Sequence, residues 1–122
     1  MAISDLIEDL KALKGPDRKL DVSIALATGY RRSIDESTGQ RQVTWHHVSD
    51  KKSVVSRIPK FTEFIGAAYD LVKLVCPDRD GGVAWTREGG TATLDGAGIC
   101  VGANPAIALC IAVLTVIDRD DD

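Results

Sequence analysis

At 122 residues, with 44% hydrophobic and 27% charged side chains, the chain has the size and make-up of one globular domain able to bury its own core. A formal net charge of −3 gives no overall attraction to nucleic acid or anionic lipid. Three cysteines, Cys76, Cys100 and Cys110, include no closely spaced pair, which argues against a disulfide framework and for a reducing cytoplasm.

Met1-Ala2-Ile3-Ser4-Asp5 lacks the basic region and apolar run of a signal peptide. Ser4 is the predicted cap of a first helix, whose stripe is Ile3, Leu6, Ile7, Leu10 and Leu13. Gly15-Pro16 ends it. Asp17 caps a second helix that buries Leu20, Ile24 and Ala27 and stops at Gly29. The period then changes. Tyr30–Asp35 and Arg41–Val48 flank a Gly-containing turn at Glu36–Gln40, the pattern of a β-hairpin. Ser49–Ser53 reads as a polar turn, and Val54–Ile58 as a short strand halted by Pro59.

Thr62 is the predicted cap of the next helix, with Phe61, Phe64, Ile65, Ala68, Leu71, Val72 and Val75 on its apolar stripe and Cys76-Pro77 at its end. Val83–Arg87 and Thr91–Val101 then form a second hairpin about Glu88-Gly89-Gly90, bent by Gly96, Gly98 and Gly102. In the last helix Asn104 caps and Pro105 takes the first position. The run from Ala106 to Val116 is apolar on every side, so this helix must be buried around most of its circumference. It is too short for a bilayer, which needs roughly 20 apolar residues. The expected domain spans 1–117, with an acidic tail at 118–122.

Three blocks carry a family resemblance. Asp5-Leu6-Ile7 with Gly15-Pro16-Asp17-Arg18-Lys19-Leu20-Asp21, then Ile58-Pro59-Lys60-Phe61-Thr62 with Ala67-Ala68, then Asn104-Pro105-Ala106-Ile107-Ala108-Leu109-Cys110 resemble, in that order, the phage ABA-sandwich domain family. Two positions depart from its pattern. Gly66 stands where the family has an acidic residue, and Tyr30 where it has Trp. The resemblance implies a phage or prophage protein in the bacterial cytosol and an α/β/α sandwich. The expected fold is therefore α+β, in the order αα-ββ-α-ββ-α. One mainly antiparallel sheet of four or five strands would carry helices on both faces.

No residue set supports catalysis, a metal or a cofactor. His46 and His47, adjacent on a strand, point to opposite faces and do not chelate together. Asp35-Glu36 falls at a turn, where nothing raises a carboxyl pKa for acid catalysis. The glycines before the last helix do not form a dinucleotide fingerprint. The strongest cluster is basic. Arg31, Arg32, Arg41, Lys51, Lys52 and Arg57, with Trp45 and His46, either contact an anionic partner or keep a solvated sheet edge from aggregating. These readings predict a non-enzymatic phage accessory protein that works by binding, with inhibition of a host defence factor as one form. The alternative is a nucleic-acid-binding module built on the basic hairpin, residues 30–60. A homodimer through the last helix or the neighbouring sheet edge is expected, burying whatever apolar surface of that helix the N-terminal stripe leaves open.

Overall fold

The computed structural model describes residues 2–120. Helices α1 (Ile3–Lys11) and α2 (Arg18–Thr28) come first, then strands β1 (Tyr30–Asp35), β2 (Gln42–His47) and β3 (Asp50–Val55). Helix α3 (Ile65–Val75) leads to β4 (Gly81–Thr86), β5 (Gly89–Leu94) and β6 (Gly98–Gly102), and α4 (Pro105–Asp120) closes the chain. The fold is α+β.

Helix α4 is the centre of the packing. Ile107, Ile111, Val113 and Leu114 are fully enclosed. Strands β5 and β6 cover one side of the helix, while α1 and α3 flank it. Leu6, Ile7 and Leu10 of α1 are buried, as their spacing predicts. The chain therefore covers its own last helix. Among the described residues α4 carries no exposed apolar side chain.

The strands do not join into one sheet. They form two three-stranded antiparallel meanders, β1-β2-β3 and β4-β5-β6. The second has an apolar inner face, with Ala92, Leu94 and Cys100 buried against α4. Its outer face is open, with Ile99 and Val101 exposed, so helices cover one side only. The first has no continuous apolar face, because exposed Arg31 and Arg32 fall on opposite sides of β1. It cannot be drawn into the core and stands as a β-arm, fixed at its base.

Several boundaries move. The cap of α1 is Ala2, whose side chain makes no capping bond, rather than Ser4. Asp50–Val55 is strand where a turn was expected at 49–53. Thr91–Val101 is two strands, because Gly96 (φ 92°) and Gly98 (φ 71°) turn the chain back. Asp118, Arg119 and Asp120 of the expected tail are the last turn of α4, where Asp120 meets Arg79 at 2.9 Å. Asp121 and Asp122 lie outside the described residues.

Thr62 caps no helix. The cap position of α3 is Phe64, and Thr62 is fully buried. Its N–H and its hydroxyl both donate to Asp21 Oδ1, each at 2.8 Å. Its Oγ1 accepts from the Asp17 N–H at 2.9 Å, and its carbonyl accepts from Asn104 Nδ2 at 3.0 Å. Arg18 reaches Asp21 Oδ2 at 3.0 Å and also donates to the Ile58 and Pro59 carbonyls. The three sequence blocks thus converge on one residue. Asp17 and Asn104 also cap their own helices, accepting from Leu20 N–H at 3.1 Å and Ile107 N–H at 2.8 Å. The network is saturated, so it ties α2, the 58–62 segment and α4 together and presents no reactive group.

Candidate functional site

The β-arm holds the basic cluster. Its base is built from a buried pair. Tyr30 stands opposite His47, the ring centroids 5.1 Å apart and edge-on. His47 Nδ1 accepts from the Ser49 N–H at 3.1 Å, which assigns the proton to Nε2 and makes it the donor to the Thr28 carbonyl at 2.8 Å. Gly29 lets the chain pass from α2 into β1 at φ 112°, and its carbonyl receives the Val48 N–H at 2.9 Å. Burial, together with the nearby Asp70 charge, pushes the Tyr30 hydroxyl above its ordinary pKa. His47 is therefore an anchor of the arm.

Alternation along β1 and β2 sorts the remaining residues. Arg32, Ile34, Val43 and Trp45 share the face of Tyr30 and His47, and Val55 of β3 stands opposite Trp45. Arg31, Ser33, Thr44 and His46 share the other, with Val54 opposite His46. His46 and His47 do point apart. Lys51 and Lys52 lie on β3, Arg41 in the loop at the tip and Arg57 just beyond β3. So the structure gathers the eight predicted residues on one arm but divides them between its faces, its tip and its third strand.

The electrostatics are simple. All six cations are exposed, and among the described residues none lies within ion-pair distance of a carboxylate. Asp35, the acidic residue that ends β1, is turned to its own loop: the Ser37 N–H donates to it at 2.9 Å and holds its pKa below the ordinary value. Between the cations stand Ile34, Val43, Val54 and Val55, all partly open to solvent. Sequence reading missed this apolar component, because alternating Val and Ile are the usual mark of a buried face.

Elsewhere, burial raises the pKa of all three cysteine thiols, so none is an activated nucleophile at neutral pH. Among the described residues no group of three His, Cys, Asp or Glu side chains could hold a metal ion. No helix there is long and apolar enough to cross a membrane. Compared with family models, curated proteins and solved structures, the chain matches none.

Proposed function

We propose that the protein is a non-enzymatic binding protein that takes an acidic protein partner on its β-arm. One observation carries this reading. Unpaired arginines and lysines stand among four exposed aliphatic side chains, beside the half-buried indole of Trp45 that packs on the core, on a sheet that otherwise contributes little to it. Arg and aromatic residues are enriched at protein interfaces, and aliphatic neighbours exclude water around them. Phosphate contacts alone have no use for Ile34, Val43 and Val55. The resemblance to the phage family suggests a phage or prophage origin, and with it a partner from the bacterial host, such as a defence factor.

The test is capture from host extract on the unaltered protein and on the triple variant Arg31→Ser, Arg32→Ser, Arg41→Ser. The expected outcome is a discrete acidic protein held by the first, released by salt and absent from the second. Identical captures by both would contradict the proposal.

A second reading, binding of nucleic acid, is favoured by the polar face of Arg31, Ser33, Thr44 and His46. Anisotropy with single-stranded and duplex probes near 50 mM salt separates the two, since electrostatic binding is strong there. Tight binding that falls steeply with salt would favour nucleic acid. No binding would leave the protein partner.

A further inference from the structure

The second sheet ends in a free edge at β4. The two-residue loop Arg87-Glu88 makes Thr86 and Gly89 a hydrogen-bonded pair, so Gly82, Ala84 and Thr86 direct their main-chain groups to β5. The bond from Asp95 N–H to the Asp80 carbonyl, 2.9 Å, continues that parity. The N–H and C=O groups of Gly81, Val83 and Trp85 therefore point outward, and among the described residues no hydrogen-bond partner meets them. The strand Gly-Gly-Val-Ala-Trp-Thr carries no charge and no proline, the usual devices that keep an edge from pairing.

Two further features lie beside this edge. Trp85 shares the inner face with Val83, yet it is 79% exposed, so nothing covers that end of the strand. At the other end an apolar cavity of about 310 Å³ opens between β4 and α3, lined by Ile65, Tyr69, Val72, Val83, Leu94 and Leu109. Ile65 belongs to the stripe that the spacing of α3 places in the core, and here it is exposed.

We propose that β4 pairs antiparallel with β4 of a second copy about a two-fold axis at Val83, joining the two sheets into one of six strands. The register is set by the outward groups: Val83 meets the partner's Val83, and Gly81 meets the partner's Trp85. Side chains at 81, 83 and 85 all face inward, so each indole enters beside a glycine, over the other copy's cavity. The uncovered end of β4 receives the partner's α3. The same register sets Arg79 opposite the partner's Arg87, and Arg79 is held within its own copy by Asp120 at 2.9 Å. The pairing covers Trp85, Ile65, Tyr69 and the strand edge on both copies, a small surface beside the roughly 1,200–2,000 Å² of stable specific interfaces. The dimer is accordingly reversible and concentration-dependent.

Sedimentation equilibrium of the full chain across the micromolar range tests this. The unaltered protein should pass from one chain to two. Trp85→Lys should weaken association at least about ten-fold, as loss of an interface anchor does, with the thermal unfolding of the dilute monomer unchanged. Register is read by cysteine pairing. The proposed axis puts Gly82 opposite the partner's Ala84 in a close, non-hydrogen-bonded pair, and a Cβ at Gly82 meets open space. The double variant Gly82→Cys, Ala84→Cys should crosslink into dimers far faster than either single variant. A single-chain mass at every concentration, association untouched by Trp85→Lys (as the open face of Ile99 and Val101 would give), or equal crosslinking by the single and double variants would overturn the proposal.

Discussion

Asp21 and Thr62, 41 positions apart, share two hydrogen bonds of 2.8 Å in the interior, and Asp21 keeps its charge company through Arg18 at 3.0 Å. A buried carboxylate is tolerable only when its oxygens are filled. Thr62→Val keeps the shape and removes the hydroxyl, so it should cost about 2 kcal/mol, the range for a hydrogen bond to a charged group. Thr62→Ser keeps the hydroxyl and should cost about 1 kcal/mol or less, the range for a lost buried methyl. Urea denaturation of both checks this, and equal losses would show that the hydroxyl is not what matters.

Gly29→Ala should destabilise by about 1–3 kcal/mol and loosen the arm. The residue sits at φ 112°, and an added Cβ would lie 2.8 Å from His47 Nε2, the atom that donates to Thr28. Thermal unfolding gives the loss, and amide exchange at Val48, bonded to the Gly29 carbonyl, should rise with it.

In α4, Ile111→Ala and Leu109→Ala should each cost about 2–5 kcal/mol. The first should be the larger. Ile111 is enclosed on all sides, whereas Leu109 already borders the cavity beside α3 and loses fewer neighbours. Urea melts rank them. The reverse order would mean that the cavity is filled in solution.

Burial raises the Cys76, Cys100 and Cys110 thiols above their ordinary pKa. The thiolate is the reactive form, so a raised pKa leaves the folded protein unreactive at about pH 8, where an exposed cysteine is partly ionised. Ellman's reagent should label the native protein slowly, at the rate of opening, and all three thiols promptly in urea. Fast native labelling would place a thiol at the surface.

Much of this fold is legible in the chain because the signals are local. The caps at Asp17 and Asn104 and the stop at Gly29 each act over a few residues, and each is found where the sequence puts it. Thr62 misled because a threonine before an apolar run is also what a helix cap looks like. Its partner, Asp21, is far away in sequence. Asp95-Gly96 hid a turn inside a run that otherwise alternates. The split into two sheets was not legible either, since it depends on which strands can reach α4. For the arm, the cations were visible as a cluster, but their division between two faces required the register of β1 on β2.

Photocrosslinking in a cell extract tests most directly whether the arm is the contact surface proposed above. A benzophenone amino acid is placed at Val43, on the arm beside Arg32 and Trp45, and separately at Leu26, also open to solvent but on α2. A covalent adduct with an acidic protein should form from Val43, disappear when Arg31, Arg32 and Arg41 are replaced by Ser, and be absent from Leu26. The same adducts from both positions, or adducts that survive loss of the three arginines, would contradict it.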